Sequence, residues 1–197
     1  MPTFVPTIEL LNPPVASYGY FQGVATLFDA NTQDYSPVNA WWLAEASFLA
    51  YGSPEFLKDK VTGNELVRRA GLQFEPFASP SDAAGFLMYN DQVVIAAFRG
   101  TRVPGLQDPL AFVRSLEPSF RDIVTDVRFP QVPFGPGSVH GGFARAFDSV
   151  AAGVLKRLTD LAAAGRTVWL TGHSLGGALQ PVPRIGPRAQ SGLQRSL

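Results

Sequence analysis

The sequence predicts an α/β fold with a mostly parallel central sheet and helices on both of its faces. Two runs are apolar on both sides, VVIAAF at Val93–Phe98 and TVWLT at Thr167–Thr171, which is typical of strands in the middle of a sheet. A long helix is predicted between them, because apolar residues recur every three or four positions at Phe143, Phe147, Val150, Val154, Leu158 and Leu161. A helix that crosses over between two buried strands is the unit of parallel sheets.

The N-terminal half contains two clear helix starts. Residues 1–35 are rich in Pro, Tyr and Phe without a lasting period, so we expect an extended arm that packs on the surface. Ser36-Pro37 offers a cap and a proline at the first helical position, which predicts a helix over residues 37–51. Ser53-Pro54 repeats the signal and predicts a second helical region, interrupted near Thr62 and ending at Gly71.

Strand signals follow. Residues 72–77 alternate in polarity, and two strand-like runs flank Asn90-Asp91, which predicts a hairpin. Gly165 is expected to end the long helix. We therefore expect one domain over residues 36–179, preceded by the arm. Residues 180–197 contain several prolines and arginines, no acidic residue and no apolar period, so they are expected to form a disordered tail.

Composition excludes several classes of function. Sixteen basic and sixteen acidic residues give no net charge, so no electrostatic field favours the binding of nucleic acid. There is no cysteine and there are only two histidines, so we expect no metal site and no cofactor. No apolar run approaches the ~20 residues of a membrane span. The N-terminus lacks the pattern of a signal peptide, which favours the cytoplasm by default and leaves export by another route open. No feature indicates an oligomeric state.

One serine lies in a sequence typical of an activated nucleophile. Gly172-His173-Ser174-Leu175-Gly176 matches G-x-S-x-G, with a predicted buried strand before it and helix-like residues after it. A serine in such a sharp turn is lifted above the sheet by a strained backbone, and the flanking glycines give the strand and helix room. The alternative is a glycine-rich turn with an idle serine. The strand and helix on either side favour the nucleophile.

The motifs around this serine resemble those of the class 3 lipases, the fungal-type triacylglycerol lipases of the α/β-hydrolase fold. The matching segments, in family order, are WWLAEASFLAYGSP near the start, VVIAAFRGT, RDIVTDV at 121–127, VHGGFARAF at 139–147, and GHSLGGAL. The resemblance spans about residue 38 to Leu179. It implies a partial α/β-hydrolase fold that lacks the C-terminal strands, a lipid or ester substrate at a lipid–water interface, and lipid degradation as the role.

The resemblance also implies residue roles. Ser174 would attack the ester carbonyl and form an acyl-enzyme. Thr101 corresponds to the family's oxyanion-hole residue and would act with the amide of Leu175. His173 is expected to pack below the serine turn, His140 to form structural hydrogen bonds at the start of the long helix, and Asp126 to be a structural acid. Gly172 and Gly176 would give the turn its space.

The family's triad is incomplete in this sequence. A serine needs a histidine base and an acid that orients it, and α/β hydrolases supply them in the order Ser, Asp or Glu, His. No Asp, Glu or His follows Ser174 here. Prolines at 181, 183 and 187 also interrupt the expected helix. We therefore expect an impaired enzyme and a truncated gene product, from a frameshift or an incomplete reading frame.

The sequence is also compatible with two other classes of function. The chain is a candidate for a non-catalytic interaction protein that uses its aromatic half and an uncovered sheet edge. A thioesterase or acyltransferase on the same fold is the other alternative, because the serine turn does not fix the acyl acceptor. Residues 102–120 intersperse apolar and charged side chains, which fits either a mobile lid or a packed loop.

Overall fold

The computed structural model describes residues 14–23, 25–78, 84–100, 131–134, 137–140, 153–173 and 190–191. Within these ranges, three helices precede the sheet: α1 at Pro37–Leu49, α2 at Pro54–Thr62 and α3 at Glu65–Arg69. The side chains of Ser36 and Ser53 cap α1 and α2, as predicted, by accepting hydrogen bonds from backbone amides three residues ahead. Gly71 follows α3 with a φ of 63°, a conformation that glycine adopts without steric cost.

Among the described residues, the main sheet has five strands in the order β1 (Gln73–Ala78), β2 (Ala84–Tyr89), β3 (Val93–Phe98), β6 (Thr167–Gly172) and β7 (Gln190–Ser191). The first three are joined by short connections and pair antiparallel, which confirms the hairpin predicted at Asn90-Asp91. The side chain of Asn90 accepts the amides of Gln92 and Val93 at 2.8 and 3.0 Å and so forms the turn.

The crossover predicted by the two buried runs is present. β6 at Thr167–Gly172 lies parallel to β3, with Val93 opposite Thr167 and Phe98 opposite Gly172. A helix, α4, covers residues 153–163 before β6, and Gly165 follows it with a φ of 89°. The sheet is mixed, however, and not mostly parallel as expected, since the tight connections between β1, β2 and β3 allow only antiparallel pairing.

Helices cover both faces of the sheet. On one face, α1, α2 and α3 enclose a cluster that includes alternate residues of β3, Val93, Ile95 and Ala97. On the other face, Val154, Leu158 and Leu161 of α4 pack on the remaining β3 residues, Val94, Ala96 and Phe98. Every residue of β3 is therefore buried, and its apolar character on both sides is explained by these two layers.

Part of the described N-terminal segment reaches the core, whereas a surface arm was expected from its composition. Tyr20 and Phe21 are 2% and 1% exposed and pack in the α1 cluster. The carboxylate of Glu45 on α1 accepts hydrogen bonds from the Tyr18 hydroxyl at 2.6 Å and the Phe21 amide at 2.8 Å. Irregular backbone can lie here because a buried acid satisfies its polar groups.

A second, two-stranded sheet was not predicted. β4 at Gln131–Phe134 and β5 at Gly137–His140 pair antiparallel. His140 was expected at the start of the long helix, but it is the last residue of strand β5. The short strand β7 at Gln190–Ser191 pairs parallel with β6. The rest of the segment 180–197 lies outside the described residues, and its disorder stays a prediction.

Candidate active site

The neighbouring ends of β3 and β6 form the centre of the candidate site. The two strands run parallel, so their carboxyl ends lie at the same edge of the sheet, with Phe98 opposite Gly172. Beyond these ends the chain continues through Gly100 on one side and His173 on the other. The topology therefore brings together the two segments whose next residues are Thr101 and Ser174. Active sites of open α/β sheets lie at this end of the strands.

Gly100 is held in a space too small for any side chain. A Cβ atom at this position would lie 2.6 Å from the carbonyl oxygen of His173 and would also contact the hydroxyl oxygen of Tyr51. Because one of these neighbours is backbone, the contact cannot be relieved by a rotamer change. Glycine at position 100 allows the extension of β3 to lie directly against the extension of β6.

Tyr51, just beyond α1, connects the two extensions. Its hydroxyl lies 2.9 Å from Nδ1 of His173, and the same oxygen lies so close to Gly100 that a Cβ atom added there would touch it. The rings of Tyr51 and His173 contact each other with centroids 5.9 Å apart. Tyr51 is buried, with 8% of its surface exposed. A single phenol therefore links α1, β3 and β6 at the candidate site.

The environment keeps the Tyr51 phenol protonated. Burial raises the pKa of Tyr51 above its ordinary value, while the Gly100 backbone hydrogen bond and the positive charge of Arg99 act in the opposite direction with smaller effect. Arg99, the residue after β3, is buried, and its backbone amide donates to the carbonyl of Ala84 at 2.8 Å. At neutral pH, Tyr51 is therefore a hydrogen-bond donor as well as an acceptor.

The predicted site residues fall into two groups. Gly172 ends β6 and is half-buried, and His173 follows it with an exposed side chain that contacts Tyr51; its packing below the serine turn stays a prediction. His140 lies in the two-stranded sheet. Outside the described residues are Thr101, Asp126, Ser174, Leu175 and Gly176, whose roles stay predictions.

The sequence reasoning did not identify Tyr51 and Gly100 as site residues. Tyr51 and His173 are separated by 122 positions, and no periodicity or spacing connects them. Gly100 lies in the segment VVIAAFRGT, which resembles the family motif, but its close approach to His173 depends on how β3 and β6 pair. Among the described residues, none group into a set of His, Cys, Asp and Glu that could hold a metal ion. The described helices include none long and apolar enough to span a membrane.

These features define the class of protein. A parallel β3–β6 pair, joined by a crossover helix and followed by G-x-S-x-G at the end of the second strand, is typical of α/β hydrolases. Residues 96–182, slightly less than half of the chain, match the family model described as lipase (class 3). Over these residues the chain is similar to the class 3 lipases, whose members are carboxylic ester hydrolases with an α/β-hydrolase fold. No curated protein and no solved structure shows significant similarity to it.

Proposed function

We propose that this chain is a serine carboxylester hydrolase that acts on acylglycerols or other lipid esters, with Ser174 as the nucleophile. The observation that carries the proposal is the contact between Gly100 and His173 at the paired ends of β3 and β6. Thr101 and Ser174 are the next residues of these two segments. The nucleophile and an oxyanion donor of an acyl-transfer site need to be close in this way.

The proposed chemistry follows from these positions. The Ser174 hydroxyl attacks the ester carbonyl, and the backbone amides of Thr101 and Leu175 donate to the oxygen that becomes negatively charged. Collapse of this intermediate expels the alcohol and leaves an acyl-enzyme, which water then hydrolyses. Each oxyanion donor of this kind contributes about 10²- to 10³-fold in rate. No cofactor is required by these steps.

The weak point of the proposed site is the removal of the serine proton. The 197 residues contain two histidines, His140 and His173, and both precede Ser174. His173 has one ring nitrogen engaged with Tyr51, which supports a structural role for it. We therefore propose that this polypeptide by itself turns over slowly, with a residual acceleration of about 10³- to 10⁴-fold over water from the oxyanion hole and substrate binding.

The experiment combines a serine-directed probe with a chromogenic ester. A fluorophosphonate should label the wild-type chain and leave Ser174→Ala unlabelled, while hydrolysis of a short-chain p-nitrophenyl ester should depend on the same residue. Ser47→Ala is the control, because the Ser47 hydroxyl only bonds the carbonyl of Ala44 within α1. Equal labelling or equal hydrolysis in wild type and Ser174→Ala would refute the proposed nucleophile.

Added imidazole tests the proposed impairment separately. If the site lacks a general base, free imidazole should accelerate ester hydrolysis by the wild-type chain above its effect on the uncatalysed reaction. The same addition should give no such gain with Ser174→Ala. Fast hydrolysis by wild type that imidazole leaves unchanged would show that the site already contains a base, and the impairment would then be wrong.

A further inference from the structure

We propose that Tyr51 is a positioning residue of the hydrolase site: its hydroxyl joins the extension of β3 to the extension of β6 and fixes the spacing between the oxyanion-hole segment and the nucleophile segment. The inference rests on the proposed function of Ser174. Tyr51 reaches the site from the end of α1, far from both segments in the sequence, and it is assigned here from its contacts alone.

The hydrogen bonds at the Tyr51 hydroxyl have a direction. The Tyr51 oxygen lies against Gly100, and the Gly100 backbone lowers the pKa of Tyr51, as an amide that donates to the phenol oxygen does. The hydroxyl lies 2.9 Å from Nδ1 of His173; it donates there when the neutral imidazole carries its proton on Nε2, and it accepts when the proton is on Nδ1. We assign the first arrangement, in which Tyr51 relays a hydrogen bond from β3 to β6 and the imidazole proton is on Nε2.

Both residues that Tyr51 contacts are followed in the chain by a proposed catalytic residue. Gly100 is directly followed by Thr101, and His173 by Ser174. A shift at either linked residue is therefore passed by covalent geometry to a proposed catalytic group. In well-oriented sites, a misplacement of about 1 Å costs on the order of 10² in rate. A bond that fixes the distance between the two segments thus acts on the rate even though Tyr51 does not touch the reacting atoms.

Hydrogen bonds of α1 and of the turn that follows it hold Tyr51 in place. α1 is attached to β6 by a second hydrogen bond, from Oγ1 of Thr171 to the carbonyl of Leu43 at 3.0 Å. The turn after α1 is closed by the bond from the Gly52 amide to the carbonyl of Leu49 at 2.9 Å. The phenol is buried among these contacts, so it is presented to Gly100 and His173 from a rigid support.

The variant Tyr51→Phe tests the relay, and Tyr20→Phe is its matched control. Both tyrosines are buried, and each phenol oxygen lies beside the backbone: the Val15 amide donates to Tyr20 at 3.0 Å, and the Tyr51 oxygen adjoins Gly100. Only Tyr51 is linked to the site. The measurement is the second-order rate of fluorophosphonate labelling at Ser174. We expect it to fall by about tenfold or more in Tyr51→Phe and to stay within about twofold of wild type in Tyr20→Phe.

A spectroscopic measurement keeps the inference testable if Tyr51→Phe folds poorly. Two-bond ¹⁵N–¹H correlation spectra of the wild-type imidazoles, recorded at alkaline pH, distinguish the two neutral tautomers. The His173 signals are assigned with a His173→Asn variant. We expect the Nε2–H form with Nδ1 as a hydrogen-bonded acceptor. A His173 ring protonated on Nδ1 would overturn the relay, as would equal loss of labelling rate in Tyr51→Phe and Tyr20→Phe.

The two measurements separate this inference from the proposed function. If wild type and Ser174→Ala label equally, the nucleophile assignment fails, and the proposed role of Tyr51 fails with it. If labelling depends on Ser174 but is unaffected by Tyr51→Phe, the proposed function stands and the positioning role is wrong. A tautomer with the proton on Nε2, together with a selective loss of rate in Tyr51→Phe, supports both.

Discussion

The side-chain oxygen of Thr171 in β6 donates a hydrogen bond to the backbone carbonyl of Leu43 in α1, with 3.0 Å between the two oxygens. Both residues are buried. The bond attaches the middle of α1 to the strand that leads to Ser174. A buried polar contact between a helix and a sheet fixes their relative position more strictly than apolar packing does, because it has a direction as well as a distance.

Thr171→Val should destabilise the protein by about 1 kcal/mol. The substitution keeps the shape of the side chain and removes the donor, so the Leu43 carbonyl loses a partner in a place that water does not reach. Denaturant unfolding gives the change in the free energy of unfolding. Thr62→Val is the control, since the Thr62 hydroxyl makes the same kind of bond to the carbonyl of Lys58, at 2.7 Å, on an exposed helix surface. It should change stability by less than about 0.5 kcal/mol, and equal losses in the two variants would contradict the argument.

Gly100→Ala should severely impair the site. The added methyl group would meet the carbonyl of His173 at 2.6 Å and the Tyr51 hydroxyl, so the extensions of β3 and β6 have to separate. We expect a loss of stability of about 1–3 kcal/mol and a fall in Ser174 labelling by a fluorophosphonate.

Gly153→Ala is the matched control for the glycine substitution. Gly153 lies in α4 with no atom within 4 Å of the added Cβ. Alanine has the higher helix propensity, so this variant should be more stable than wild type by about 0.5–1 kcal/mol. Its labelling rate should be unchanged. A stable and fully reactive Gly100→Ala protein would show that the close approach at Gly100 is not needed.

Stability should decline at alkaline pH in a way that depends on Tyr18. Burial, followed by the hydrogen bond and negative charge of Glu45, raises the pKa of Tyr18 well above its ordinary value. The unfolded chain then loses its tyrosine proton first, near pH ~10. The stabilisation that protonated Tyr18 gives the folded state is fully present below that pH, and it is lost as the pH rises toward the folded-state pKa.

The variant Tyr18→Phe removes this contribution. The free energy of unfolding, measured between about pH 8 and pH 11, should therefore fall less steeply for the variant than for wild type. A decline remains because the pKa values of Tyr20 and Tyr51 are also raised by burial. Tyr35→Phe, which removes a phenol that is 74% exposed, controls for unspecific effects. Identical slopes for wild type and Tyr18→Phe would show that the Tyr18–Glu45 contact does not persist in solution.

Arg157 should contribute modestly to the stability of the fold, through hydrogen bonds that are partly exposed to solvent. Its guanidinium bonds the carboxylate of Glu75 at 2.9 Å and the hydroxyl of Tyr89 at 3.0 Å, joining α4 to β1 and β2. The charged side chains are 38% and 39% exposed, so solvent screens the pair. Arg157→Met should cost less than about 1 kcal/mol, and 1 M salt should reduce the difference, since the screening length is then about 3 Å.

Lys156→Met gives the comparison for an exposed pair. Lys156 and Asp160 are 2.7 Å apart on α4 with 77% and 53% exposure, and the loss should be close to zero. Thermal or denaturant unfolding at low and high salt measures both variants. A larger loss for Lys156→Met than for Arg157→Met would mean that the link between α4 and the sheet does not stabilise the fold.

Local signals explain why much of the fold could be predicted. Ser36 and Ser53 cap the starts of α1 and α2, and Gly71 and Gly165 adopt positive φ angles just after α3 and α4. These features depend on neighbours in the sequence. The double-sided apolar character of β3 and β6 likewise identified the two strands that pair in parallel. The short hairpin of β4 and β5 was missed because β4 contains a proline and β5 begins with a glycine, and both residues are rare in strands.

The candidate site likewise combines features that the sequence predicts with contacts that only the folded structure shows. The amino-acid sequence by itself determined the helix ends, the buried strands, the crossover between them and the motif around Ser174, because each of these is set by residues near one another in the chain. The tertiary structure alone decided that the sheet is mixed, that Tyr20 and Phe21 lie in the core, and that Tyr51 meets Gly100 and His173. Such contacts join segments that are distant in the sequence, and their geometry is fixed only when the packed helices and the paired strands bring those segments together.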